Sequence, residues 1–134
     1  MNKSQTGFSL IELLVVLVIL GLIAGLVVPN IIGQTEKAKV KAAAATIQRI
    51  AMGVDAYYLD NGEVPERLAD LVNEPGNVSN WTGPYIKKSI LKDPWGEAYQ
   101  FRYPGEHGEF DIVSFGPDKQ MGGEGKNADI TSWE

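Results

Sequence analysis

The sequence predicts an α+β protein: one long N-terminal helix packed on a small antiparallel β-sheet, with a C-terminal loop. Three observations lead there. From Phe8 to Val28 the chain is apolar or glycine apart from Ser9 and one charged residue, Glu12. From Val40 to Tyr58 apolar residues recur at the three- and four-residue spacing of a helix with one covered face. Beyond Pro94, short runs alternate apolar and polar residues, as half-buried strands do.

The apolar run is long enough to cross a membrane, since about 21 residues rising ~1.5 Å each span a ~30 Å hydrocarbon core. A cleaved secretory signal would be shorter and end in small residues, which this run does not. A plain single-pass anchor fits the length but leaves Glu12 without a purpose. A carboxylate among apolar residues is costly unless it is paired or neutralised. It could lie at headgroup level, or it could meet a cation on a neighbouring copy of the chain. Helix signals then continue past Pro29. Val40, Ala43, Ile47, Ile50 and Val54 mark an apolar stripe, widened by Ala51 and Tyr58, while Lys37, Lys41, Gln48, Arg49 and Asp55 form the polar side. One helix is therefore expected from about Phe8 to Asp60, with Asn61-Gly62 as its stop. Gly21, Gly25 and Pro29 weaken its middle, and a kink is expected at Pro29.

Pro65 with Leu68, Leu71 and Val72 predicts a short helix with proline in its first turn. "NEPGNVSNWTGP" has the composition of a surface loop. Tyr99, Phe101 and Tyr103 alternate with polar residues, as do Phe110 and Ile112 around Asp111, and "PGEHG" joins them as a hairpin connection. Trp95 and the alternate aromatics are expected to pack on the amphipathic helix.

Composition narrows the function. With a net charge of -5 and no basic face, a nucleic-acid partner is not expected. The absence of cysteine excludes a disulfide framework and a thiolate metal site. His107 is the only histidine, lies in the hairpin connection and has no nucleophile or acid at a recognisable spacing, so it is expected to be solvated and no catalytic role is assigned. In the tail, Gly116, Gly122, Gly123 and Gly125 surround Asp118, Glu124 and Asp129. Calcium takes six to eight oxygens from carboxylates and carbonyls. Asp118 and Asp129 could close such a loop around one ion, or the loop could simply be solvated.

The residues before the apolar run point to a family. "MNKSQTG" followed by Phe8-Ser9-Leu10-Ile11-Glu12 resembles the leader of type IV pilins and their relatives. "DPWG" at 93–96, "FDIVSFGPD" at 110–118 and "GGEGKNADI" at 122–130 are similar to the core protein G family, the major pseudopilins of type II secretion. The resemblance covers the whole chain and implies a type IV pilin-like fold. It divides the chain into a prepilin leader (1–7), a transmembrane and filament-core helix (8–28), its amphipathic continuation (29–61) and a periplasmic head (62–134). It implies cleavage by prepilin peptidase between Gly7 and Phe8, with N-methylation of Phe8. The new amine would meet Glu12 of an adjacent subunit, fixing register during assembly, and the helix between Gly21 and Pro29 would unwind in the filament.

Also implied are a Gram-negative inner-membrane anchor in contact with lipid and a calcium-binding loop. Asp118 and Asp129 would supply side-chain ligands, and Phe115, Lys126 and Thr131 would supply carbonyls. The implied role is a homopolymer, the pseudopilus, built with minor pseudopilins on an inner-membrane assembly platform and exporting folded proteins through the outer membrane. The chain itself would do no bond chemistry. A type IV pilin used for adhesion or motility would carry the same leader, but many such pilins close their tail with a disulfide.

Overall fold

The computed structural model describes residues 6–134, without the side chains of 27–32. The leader residues before Thr6, Lys3 among them, lie outside the described residues. Helix α1 runs from Leu10 to Asn61 and is helical through Pro29. It ends as expected: Gly62 adopts φ +75°, a conformation glycine enters freely, and its N–H is bonded to the Tyr58 carbonyl at 2.8 Å.

The chain divides into two compact units between Lys37 and Ala38. In the first, α1 is apolar or glycine from Leu10 to Leu26 except at Glu12, and all these residues are exposed. Among the described residues no helix is long and apolar enough to cross a membrane. The apolar run of the sequence extends to Val28, beyond the last of these described side chains.

The second unit carries the core. Ala43, Ile47, Ile50, Val54 and Tyr57 of α1 are buried against a cluster that includes Leu71, Tyr99 and Ile112. Tyr57, not Tyr58, completes the stripe; Tyr58 is 48% exposed and Val40 37%. At about 100° per residue, Tyr58 and Val40 fall roughly 60° to one side of Ala43, and Tyr57 falls nearer the centre of the buried arc. The short helix is a 3-10 turn, Leu68–Leu71, which starts after Pro65 rather than around it. The Asp70 carboxylate accepts the Arg67 N–H at 3.2 Å and the Trp81 indole donates to the Asp70 carbonyl at 2.9 Å, tying the surface loop to that turn.

Three strands follow: β1 (Gln100–Arg102), β2 (Asp111–Ser114) and β3 (Ile130–Thr131), in that order and antiparallel throughout. Phe101 faces Ile112, and Ser114 faces Ile130. Trp95, Phe101 and Phe110 pack against the core partly buried, whereas Tyr103 is exposed. Two expectations change here. The tail is not all loop, because its end returns as β3. Asp111 does not face solvent; it is 3% exposed, because its carboxylate binds the hairpin connection rather than water.

Candidate functional site

Two groups of residues were expected to carry function, one at each end of the chain. At the N-terminal end, Gly7 and Phe8 precede α1 and are exposed. Ser9 caps the helix: its hydroxyl accepts the Glu12 N–H at 3.3 Å, and the Glu12 carboxylate accepts the Ser9 N–H at 3.4 Å. This is a reciprocal capping box, which satisfies amides that have no partner at a helix start. Glu12 thus already has a role within its own chain. The signal was legible as Ser-x-x-Glu just before an apolar run, and Ser9 belongs beside Glu12 among the residues that shape this end.

At the other end, Asp93, which precedes β1, reaches the start of the C-terminal loop through Ser114. Its carboxylate accepts the N–H groups of Trp95 (3.0 Å) and Glu97 (2.9 Å) and the buried Ser114 hydroxyl (2.7 Å). The Ser114 oxygen accepts the Gly116 N–H at 3.3 Å, which sets the direction of the chain through Phe115. Gly116 has φ +75°, and a Cβ there would stand 3.3 Å from the Ala128 carbonyl oxygen. Glycine thus lets the Phe115 segment approach the Asp129 segment closely. Asp129 accepts the Gly122 N–H at 2.9 Å through one oxygen, and its other carboxylate oxygen is buried with no hydrogen-bond partner among the described residues. The Thr131 hydroxyl is likewise buried without a partner.

Asp118 accepts the Gln120 N–H at 3.2 Å. Lys126 lies in a 3-10 turn, Gly125–Asn127, and Thr131 lies in β3 opposite Val113. Lys119 is 3.8 Å from Glu97. The structure therefore joins Gly122 to Asp129, sets Gly116 against Ala128 and holds Asp118 in a local turn. Among the described residues no three His, Asp or Glu side chains converge as a metal-binding group. A site with two carboxylates would have to be completed by carbonyls. The buried oxygen of Asp129 with no partner is the feature that fits a cation, since such an oxygen is costly to leave without a donor or an ion.

Between these ends, His107 is not simply solvated. Its Nδ1 lies 3.3 Å from the Asp111 carboxylate, and its ring stacks on Trp133 at 3.8 Å, 7° from parallel. Burial pushes the Asp111 carboxyl up. The Glu106 N–H and the side chain and N–H of His107 more than offset this and hold it below the usual carboxylate value. Asp60, near the end of α1, is also held low, by the hydroxyls of Thr82 and Tyr85.

Residues 2–28 match the family model described as the prokaryotic N-terminal methylation motif, and residues 30–133 match that of type II secretion system protein G. A type II secretion system core protein G of Vibrio cholerae is 44% identical over 98% of this chain and 93% of its own length. That of Pseudomonas aeruginosa is 43% identical over 99% and 98%, and that of Xanthomonas campestris 39% over 96% and 90%. The crystal structure of the major pseudopilin from the type 2 secretion system of enterohaemorrhagic Escherichia coli superposes with a TM-score of 0.66 at 33% identity, covering 80% of this chain and 92% of that one. The fold is that of the type IV pilin-like proteins, and the chain belongs to the type II secretion system protein G family.

Proposed function

We propose that this chain is a structural subunit of a type II secretion pseudopilus, a helical filament of many copies that drives export of folded proteins across the outer membrane. The observation that carries this is the exposed apolar stretch of α1, with one carboxylate near its start, joined to a head that has its own core. Apolar residues exposed on every side of a helix call for lipid or for other helices as cover. Both covers enter the proposal: the inner membrane before assembly, with the head periplasmic, and neighbouring copies afterwards. Prepilin peptidase would cut between Gly7 and Phe8 and methylate Phe8. An inner-membrane platform would add subunits beneath minor pseudopilins at the tip.

Glu12 supports a register role. Cleavage leaves a positive amine on Phe8, and in low dielectric its attraction to a carboxylate of the next subunit is strong, while an unpartnered carboxylate is penalised. The reciprocal bonds with Ser9 hold Glu12 until then.

The C-terminal loop would hold Ca2+ through Asp118 and Asp129, with the carbonyls of Phe115, Lys126 and Thr131. Support comes from the buried Asp129 oxygen without a donor and from the close approach of the two loop segments at Gly116. The ion would tie together a loop otherwise held by a few amide bonds, so its expected effect is on stability.

The test uses the full chain expressed with the secretion machinery. Mature protein should begin at methylated Phe8 by mass spectrometry, and filaments should be visible by electron microscopy. Uncleaved chain that never assembles would overturn the proposal. For the loop, calcium should raise the melting midpoint relative to chelator; a ligand at a hundred times its dissociation constant adds about 2.7 kcal/mol. Equal midpoints, in the wild type and in Asp129→Ala alike, would remove the ion site.

A further inference from the structure

An open groove of about 750 Å³ runs along the head beside the end of α1 and strand β1. Tyr58, Phe101 and Tyr103 put three aromatic rings on its walls, with Val64 and Pro65 beside them. Its charges are mostly acidic: Glu63, Glu66 and Glu109 line it, and all three are exposed. Arg102 also lines it, but its guanidinium is 3.1 Å from Glu106. Aromatic rings set among carboxylates suit an apolar side chain flanked by cations.

The C-terminal loop presents such a side chain. Met121 is 74% exposed. Lys119 precedes it and Lys126 follows it in the same loop, both exposed. Lys119 lies 3.8 Å from half-exposed Glu97, a loose approach. A thioether packs well against aromatic rings, and its three rotatable bonds let it fill an irregular groove. No residue of the loop lines the groove of its own chain. The two surfaces are therefore free to meet between copies.

We propose that Met121 of one subunit seats in the aromatic groove of the next, with Lys119 and Lys126 set against Glu63, Glu66 and Glu109. The proposal rests on the filament reading above and assigns it a contact between heads. The two patches differ, so the contact is head to tail and propagates as an open helix rather than closing as a dimer. It also ties the loop to assembly: whatever orders the loop fixes where Met121 is presented.

The chain has no cysteine, which makes crosslinking specific. Met121→Cys and Tyr103→Cys are introduced together in the full chain, assembled with the secretion machinery, oxidised with copper phenanthroline and run on a denaturing gel. The expected result is a ladder of dimers, trimers and higher multimers, absent from either single variant. Normal filaments without a ladder would overturn the contact and leave the filament function standing. No filaments even from the wild-type chain would remove the filament reading and the contact with it. Should the double variant not assemble, charge reversal decides. Glu66→Lys should lower filament yield about tenfold, and Lys126→Glu in the same chain should restore it. Failure to restore, with the head's melting midpoint unchanged, would overturn the contact.

Discussion

Two stretches of α1 are both rich in apolar residues and differ in what covers them. From Leu10 to Leu26 the large apolar side chains are all exposed. From Ala43 to Tyr57 five apolar side chains on one face are buried in the head. The patterns foretell this: the first is apolar all round, the second only along a stripe. The second stretch is stabilised inside its own chain, each buried large side chain contributing about 1.5–3 kcal/mol. The first gains nothing comparable until lipid or other subunits cover it. One helix thus joins a segment left uncovered in the single chain to a segment covered within it, and substitutions in the two should be read by different assays.

The largest separation is expected at Glu12. Glu12→Ala should abolish filaments seen by electron microscopy while leaving the head's melting midpoint where it is in the wild type. Normal filaments from that variant would sink the pairing with the Phe8 amine. In the second stretch the effects reverse. Ile50→Ala should cost about 2–5 kcal/mol in urea unfolding of the head, whereas Leu17→Ala, at an exposed position, should stay within ~0.5 kcal/mol. Equal losses would erase the distinction between the stretches. Smaller again is Gly53→Ala: a Cβ there would stand 2.6 Å from the Ile86 Cγ2, so overpacking should cost about 1–3 kcal/mol. A neutral result would mean that the contact of α1 with Ile86 yields more easily than the core around Ile50.

The smallest effect is on the acid side. Asp60 and Asp111 are both held below the usual carboxylate value in the folded head. Their contribution is therefore fully present above the unfolded value near ~3.9 and is lost as pH falls through the lower folded value. Urea midpoints should fall as pH drops below about 5, and Asp111→Asn should flatten that fall. An unchanged slope in the variant would assign the acid sensitivity elsewhere.

What could be read from the sequence follows the range of the interactions. Helix α1 was legible because its signals are periodic and its stop is a glycine. The Tyr57 and Tyr58 pair was misplaced because both fit a three-four pattern from Val54, and only the centre of the buried arc separates them. The capping role of Ser9 is legible as Ser-x-x-Glu, although a lone carboxylate in an apolar run also reads as a charge awaiting a partner. Strand β3 was not legible: two residues carry no period, and their strand character comes from pairing with β2, about twenty residues earlier. The burial of Asp111 was hidden for the same reason, since the amides it binds belong to a connection whose path depends on the hairpin closing. In the loop, the residue types around Asp118 and Asp129 were plain. The network from Asp93 through Ser114 to Gly116 that aims Phe115 spans parts of the chain far apart in sequence.

The stacked rings of His107 and Trp133 have a practical consequence. An imidazole lying 3.8 Å from an indole, nearly parallel to it, alters the indole's excited state. Trp133 is the last tryptophan of the chain and directly follows Ser132, whose hydroxyl accepts the Ile112 N–H at 3.0 Å. Its emission therefore reports whether the chain's end is seated on the sheet. With Trp81 and Trp95 replaced by phenylalanine, one optical signal would follow the closing of the fold in real time.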